Sequence, residues 1–201
     1  MAESRSYQAR RRVKLLVALA IAAAMTLPLL FAFARTARAA RDAQWSTDLG
    51  KAVRKGDAQT AARLLAARPS EAIITRDQML SALSSGNEAV VGLLLDHGVD
   101  PNSEVGPLRL AAGMGRVGMV RLLLQHGADP NLDLPGSGLA LVSAAAKGNA
   151  EVVKALLDAH ADPAKRDARS GLTALAQAAE AGQMDVVRLL LDRGCAWSKL
   201  N

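Results

Sequence analysis

Apolar side chains recur at intervals of three and four residues in several short segments of the chain. In one of them Val120, Leu123 and Leu124 are apolar while Arg121 is charged, and the same order returns in the segment that contains Val153. Residues three and four positions apart share one face of a helix. The pattern therefore predicts short amphipathic helices, each with one face to bury and one face in solvent.

Four of these segments align without gaps, and each opens with a glycine. They read GNEAVVGLLLDHGVDPN from Gly86, GRVGMVRLLLQHGADPN from Gly115, GNAEVVKALLDAHADPA from Gly148 and GQMDVVRLLLDRGCAWS from Gly182, with a looser fifth, GDAQTAARLL, from Gly56. Successive glycines are 30, 29, 33 and 34 residues apart, and a second short apolar element precedes each one. Such a period predicts a row of helix pairs that bury their apolar faces against one another.

Glycines and alanines add local detail to this prediction. Gly98, Gly127 and Gly194 follow the last turn of three second helices, where a left-handed residue is least strained without a Cβ. His160 takes that place in another repeat, where we expect a penalty of about 1 kcal/mol. Small residues in the first helices predict close approach of the paired helices; they are Ala111, Ala112, Ala144, Ala145, Ala178 and Ala179.

Over about residues 48–201 these segments resemble ankyrin repeats. The shared features are the G-x-x-x-V-V-x-x-L-L-L helix, the G-A-D-P-N turn and a T-P-L-H-x-A-A helix start, which survives best from Gly106 and from Thr173. No repeat keeps the histidine of that start, and Arg109 stands in one of its places. The resemblance implies an all-α solenoid of about five helix-turn-helix repeats, with fewer loop hydrogen bonds from threonine and histidine than the family has.

The resemblance also implies a binding face for another protein or peptide, formed by the ends of the first helices and by the finger-like turns between repeats. Carried over to this chain, the candidate protein-binding residues are Ser84, Ser85, Met114, Asn131, Asp133, Ser137, Lys147, Lys165, Arg166, Arg169 and Glu180. These residues are small or polar, with few of the large aromatic anchors that dominate interface energies, which favours a modest or peptide-like interaction.

The N-terminal part of the chain has a different character. Residues 15–34 contain no charge over twenty positions, enough for a helix of about 30 Å to cross a hydrocarbon core. Five cations precede this segment and three follow it, which places the N-terminus in the cytoplasm and the repeat domain on the other side. The sequence thus predicts a basic segment at 1–14, a membrane segment at 15–34, a linker at 35–47 and a repeat domain at 48–201.

The same apolar segment also fits a cleavable export signal. It has a basic start, an apolar centre that ends at Pro28, and small residues suited to cleavage at Ala32–Ala34 or at Ala37–Ala39. The expected location is therefore a single-pass membrane protein with an extracytoplasmic repeat domain, or a periplasmic or secreted protein after cleavage. An alternative to a protein-binding module is that the exported or anchored domain serves as a structural scaffold or stabilising subunit of a neighbouring membrane or periplasmic enzyme.

Composition and charge exclude several other classes. The net charge of +6 is confined to residues 1–41, which carry +7, and the remaining 160 residues carry −1, so we expect no nucleic-acid partner. Three histidines at spaced turns and the single Cys195 form no metal-ligand set or disulfide. Since no acid, base and nucleophile converge in the sequence, we expect no enzyme, no cofactor, no metal and no small-molecule substrate.

Overall fold

The computed structural model describes residues 32–68, 73–134, 136 and 138–194. The chain divides into two compact units, Met1–Trp45 and Ser46–Asn201. In the first unit residues 32–45 are helical, and most of their side chains are exposed. The second unit contains the repeats.

Ten helices follow one another among the described residues of the second unit, and no strand occurs there. They are α1 (46–55), α2 (Ala58–Ala66), α3 (Arg76–Ser85), α4 (Glu88–Asp96), α5 (Pro107–Gly113), α6 (Val117–Gln125), α7 (Ala140–Ala146), α8 (Ala150–Asp158), α9 (Ala174–Glu180) and α10 (Met184–Asp192). Odd-numbered helices, here called inner helices, alternate with even-numbered outer helices. The five pairs confirm the predicted row of helix-turn-helix repeats.

The core lies between neighbouring pairs. Inner helices contact inner helices in the order α3, α5, α7 and α9, and outer helices contact outer helices in the order α2, α4, α6, α8 and α10. The two helices of a pair also pack against each other, as α5 does on α6 and α7 on α8. Because a single pair leaves half of its apolar surface open, stability comes from stacking.

Burial within the outer helices follows a slightly different stripe from the predicted one. In α8 the side chains of Val152, Val153 and Leu156 have no exposed surface, whereas Leu157 is only half-buried. Helix α6 shows the same shift, with Val120 and Leu123 fully buried and Leu124 half-buried. The predicted face is therefore confirmed at the valine and the first leucine, whereas the second leucine of these two helices is only half-buried, because positions i, i+1 and i+4 face the core.

Paired alanines form the contact between inner helices, with one exception. Ala111, Ala112, Ala144 and Ala145 have no exposed surface, as expected for helices in close approach. Ala179 is exposed, contrary to the expectation, because α9 is the last inner helix of the described chain and no further inner helix covers it there.

A tight turn joins the two helices of each pair. Gly86, Gly115, Gly148 and Gly182 lie there with φ values of +72°, +70°, +72° and +70°, a left-handed conformation that a side chain would strain. In the next position Asn87 caps α4, and its Oδ1 accepts from the amides of Ala89 and Val90. The chain therefore reverses in few residues, and the exposed ends of successive inner helices come to one edge of the stack.

The apolar segment at 15–34 lies outside the described residues, except for residues 32–34. Within the described part of the chain, no helix combines the length and the apolar character that crossing a bilayer requires. The predicted basic segment at 1–14 also lies outside the described residues.

Candidate functional site

The exposed ends of the inner helices form the first part of the candidate site. Ser84 and Ser85 end α3, Met114 and Lys147 follow α5 and α7, and Glu180 ends α9; all five side chains are exposed. Met114 leaves 43% of its surface in solvent, which is high for a large apolar residue. Ser85, Met114 and Lys147 directly precede the glycine turn and so occupy equivalent positions on adjacent repeats, and Ser84 and Glu180 lie one residue earlier in theirs.

The turns between repeats, here called fingers, form the second part. Asn102 lies in the finger before α5, donates from Nδ2 to the Gly127 carbonyl at 3.0 Å and accepts at Oδ1 from the Asp129 amide at 2.7 Å. One repeat later, Asn131 makes the same two contacts with the His160 carbonyl and the Asp162 amide, at 3.1 and 2.7 Å. These asparagines therefore link each finger to the next.

Two carboxylates organise the last two fingers. Asp167 is 4% exposed, and its Oδ1 accepts from the Leu139 amide at 2.7 Å. Its Oδ2 accepts from the amide and the hydroxyl of Ser170 at 3.0 and 2.8 Å. The second carboxylate, Asp133, accepts at Oδ2 from the Ala168 amide at 2.9 Å. Both carboxylates therefore hold backbone in place across neighbouring repeats.

Hydrogen bonding sets the ionisation of Asp167. Burial alone raises the pKa of this carboxyl, but the Ser170 hydroxyl, the Leu139 and Ser170 amides and the positive charge of Arg169 outweigh burial, so that the pKa lies below its ordinary value. Asp167 is accordingly ionised at neutral pH, which strengthens the hydrogen bonds it accepts.

Cations project from the same fingers. Lys165 donates from Nζ to the Asn131 carbonyl at 2.7 Å, and Arg166 donates from Nη1 to the Gly171 carbonyl at 3.1 Å. Arg169 is exposed, and Arg109, on α5, lines a small gap together with Leu134 and Gly138. The Nε of Arg109 is covered and has no hydrogen-bond partner in the described structure.

The structure places the predicted residues in two groups, one on the helix ends and one on the fingers. Asn131, Asp133 and Lys165 belong to the fingers but are half-buried and hydrogen-bonded within the stack, so their first role is structural. Arg166 and Arg169 are exposed there. Ser137 lies outside the described residues. Whether these residues contact a partner stays a prediction.

Sequence reasoning missed three residues of this region. Asn102 was visible as the equivalent of Asn131 one repeat earlier. Arg109 stands where the family has a histidine, and no local pattern shows that its Nε is covered beside the gap that Leu134 and Gly138 line. Nothing in the sequence around Asp167 indicates burial, because the amide it holds belongs to Leu139, which is 28 residues away.

The three histidines and one cavity are the remaining candidate features of the repeat domain. His97 and His126 end α4 and α6 with ordinary backbone angles, whereas His160 has φ +63°, as its place in the repeat predicted. Within the described residues no group of three or more histidine, cysteine, aspartate or glutamate side chains is placed to hold a metal ion. A cavity of about 350 Å³ lies between the α2–α3 and α4–α5 connections, lined in part by Ile73, Met79 and Val105.

Comparison with known protein families agrees with the fold. The family described as ankyrin repeats (3 copies) matches residues 46–133 and 135–200. The chain belongs to the ankyrin repeat family. No curated protein sequence is significantly similar to it. Ankyrin repeat proteins are generally non-catalytic modules that bind other proteins.

Proposed function

We propose that the repeat domain is a non-catalytic module that binds a protein or peptide along the helix ends and fingers described above. The observation that carries this proposal is the exposure of Met114 in line with Ser85 and Lys147, which are exposed at the same position of the neighbouring repeats. An exposed thioether on an otherwise polar edge offers an adaptable apolar contact. As the stack has no convergent acid, base and nucleophile among its described residues, binding is the function that this geometry supports best.

Photo-cross-linking from this edge tests the proposal. A photoreactive side chain at position 114 is expected to capture one protein in cells, whereas the same group at Lys154, an exposed position on the outer helix α8, is expected to capture none. Equal capture at both positions, or capture at neither, would contradict a binding face on this edge. Capture of one stoichiometric membrane or periplasmic enzyme would favour a stabilising subunit over a general adaptor.

We further propose that residues 15–34 bring the domain to a membrane, either as an uncleaved anchor or as an export signal. Support comes from the uncharged stretch and from the cations on both of its sides. The N-terminal sequence of the mature protein separates the two forms. A start at Met1 or Ala2 indicates the anchor, and a start at Arg35 or Ala40 indicates cleavage. Recovery of the intact chain in the cytosolic fraction would contradict both forms.

A further inference from the structure

Three arginines lie on one side of the helix at 32–45. Arg35, Arg38 and Arg41 are spaced three residues apart, and the side chains of all three are exposed. A step of three residues turns a helix by about 300°, so the three positions fall within an arc of about 120°. They form one charged strip along the helix, here called the arginine face.

The remainder of this helix carries little charge. Asp42 is the only acid between residues 32 and 45 and is half-buried, so the segment keeps a net charge of +2. The exposed residues away from the arginine face are uncharged, namely Phe33, Thr36, Ala39, Ala40, Ala43 and Gln44. The helix is therefore one-sided in charge, and its single acid does not cancel that charge.

The arginine face begins where the apolar segment of the sequence ends. Arg35 follows Ala34 directly, and Phe33 leaves 74% of its surface uncovered, which suits a hydrocarbon surrounding better than water. Because a helix rises about 1.5 Å per residue, the Cα atoms of Arg35, Arg38 and Arg41 lie about 1.5, 6 and 10.5 Å beyond Ala34 along the helix axis.

These heights match the polar layer of a bilayer. The headgroup layer on each side of the hydrocarbon core is roughly 5–8 Å thick. A helix that leaves the core upright therefore places Arg35 and Arg38 at the depth of the headgroups. Arg41 lies just outside this layer, and its long side chain can extend back to it.

Charge complementarity favours an anionic lipid surface as the partner of the arginine face. The phosphate group of a phospholipid accepts paired N–H groups from a guanidinium. Residues 42–201 carry a net charge of −1 and offer no comparable attraction. Nucleic acids and acidic proteins carry the same sign of charge, but only a bilayer surface adjoins an apolar segment that enters the membrane.

We propose that Arg35, Arg38 and Arg41 bind the headgroups of anionic phospholipids at the surface of the membrane that residues 15–34 enter. This inference rests on the anchored form of the proposed function and adds the class of lipid that the anchor selects. Attraction of the arginine face to the bilayer then depends on the anionic lipid content and on salt.

Reaction of arginines with phenylglyoxal, followed residue by residue with mass spectrometry, tests this contact. The full-length protein is reconstituted in vesicles of phosphatidylcholine, or of two parts phosphatidylcholine to one part phosphatidylglycerol. The three arginines of the face are expected to react about fivefold more slowly in the mixed vesicles, as the attraction of one cation to an anionic surface predicts. Arg169, exposed on a finger, is the internal control and is expected to react equally fast in both.

Salt gives this measurement a second control. The difference between the two kinds of vesicle is expected to disappear near about 1 M salt, where the Debye length is about 3 Å. Equal rates in the two kinds of vesicle at low salt, or a difference that salt leaves unchanged, would overturn the proposal.

A triple variant removes the arginine face while keeping residues that favour a helix. It carries Arg35→Gln, Arg38→Gln and Arg41→Gln. The matched control loses the same charge from exposed positions of the outer helices, through Arg121→Gln, Lys154→Gln and Arg188→Gln. Native mass spectrometry measures the ratio of phosphatidylglycerol to phosphatidylcholine that stays bound to each protein in detergent. The wild type and the control are expected to prefer phosphatidylglycerol several-fold, and the triple variant is expected to lose this preference. Equal loss in both variants would contradict binding by the arginine face.

Two soluble anions separate the bilayer surface from other sources of negative charge. Inorganic phosphate and a ten-glutamate peptide, each added to the protein in phosphatidylcholine vesicles, are expected to leave the three reaction rates unchanged. Protection by phosphate would indicate an adventitious ion only, and protection by the peptide would indicate an acidic protein as the partner. Either result, at the level that the mixed vesicles give, would overturn the proposal.

Failure of this inference is distinguishable from failure of the proposed function. A chain that floats with both kinds of vesicle and shows equal arginine rates keeps the anchor and loses the lipid selection. A chain that floats only with the mixed vesicles, through the arginine face, keeps the lipid contact and contradicts the anchor; flotation with neither contradicts both. A mature protein that starts at Ala40 has lost Arg35 and Arg38, which contradicts the inference and leaves protein capture from position 114 unaffected.

Discussion

A left-handed residue follows each of α4, α6, α8 and α10, and among these four described residues only His160 carries a side chain. Gly98 and Gly127 have φ values of +86° and +84°, and His160 has +63° at the equivalent place. A Cβ in this conformation lies too close to the following carbonyl oxygen, at a cost of about 1–2 kcal/mol. The carbonyl of His160 also accepts from Asn131, so the backbone cannot relax without the loss of that bond.

We expect His160→Gly to stabilise the domain by about 1 kcal/mol, because relief of the strained φ exceeds the added freedom of glycine in the unfolded chain. Urea unfolding at neutral pH measures the change. The control is His126→Gly, at a position with φ −88°, where glycine is expected to be neutral or destabilising. Equal effects of the two substitutions would contradict strain at His160.

Asp167 is the buried polar residue on which the last two fingers depend. We expect Asp167→Ala to destabilise the domain by about 1–3 kcal/mol, because the Leu139 amide loses its partner in a buried environment. Asp167→Asn keeps one acceptor and is expected to cost less. Thermal or urea unfolding of the three proteins gives the order, and an alanine variant as stable as the wild type would contradict a structural role for this carboxylate.

Ionisation of Asp167 makes the free energy of unfolding depend on pH, in a direction that its lowered pKa defines. Its pKa is lower in the folded protein than in the unfolded chain, where an aspartate titrates near about 3.9. Its stabilising contribution is therefore complete above that value and is lost as the pH falls through the lower folded pKa. We expect the difference in unfolding free energy between wild type and Asp167→Asn to shrink from pH 5 to pH 3. A difference that is constant over this range would exclude the linkage.

Fingers are the elements that join the repeats at their edge. Asn102 and Asn131 each bridge to the next finger with one donated and one accepted bond, and their spacing equals that of the repeats they join. Family resemblance implied that loop hydrogen bonds from threonine and histidine are mostly missing. In this chain asparagine and aspartate supply cross-repeat bonds in their place.

Replacing one such bridge tests its contribution. Asn102→Ala is expected to lower the free energy of unfolding by about 1–2 kcal/mol, since it removes two hydrogen bonds on a partly exposed edge. Gln125→Ala, at the exposed end of α6, is the control and is expected to change it by less than about 0.5 kcal/mol. Denaturant unfolding compares the two, and equal effects would show that the finger bridge adds nothing.

Element boundaries and helix-turn-helix order were predictable from the sequence, because they depend on local patterns. A few adjacent residues decide the left-handed glycines, the positive φ of His160 and the apolar face of each helix, so the sequence alone predicts them. The exposure of Ala179, the half-burial of Leu157 and the burial of Asp167 depend on which repeat comes next in the stack. Those features require the neighbouring helix or finger, which lies about 30 residues away in the sequence.

At the scale of the whole repeat domain, the central pairs are covered on two sides and the end pairs on one. Helix α7 contacts both α5 and α9, whereas among the described helices α2 and α10 each pack on one outer helix, α4 and α8. We expect amide hydrogen exchange to be slowest in α6 and α8 and faster in α2 and α10, because opening an end pair exposes one interface instead of two. Exchange followed by mass spectrometry measures this order, and uniform protection would contradict a stepwise stack.

Side-chain hydrogen bonds of the described fingers and turns join one repeat to the next. Asn149 reaches Ala112 and Asp133 reaches Ala168, spans of 37 and 35 residues, each of which joins neighbouring repeats. Such a stack can be lengthened by duplication, because a copy of residues 115–147 placed after the original would have the original on one side and α8 and α9 on the other, with the same interface types that the original makes now. Evolution and protein engineering alike can therefore change the reach of this domain in whole steps, without redesigning its ends.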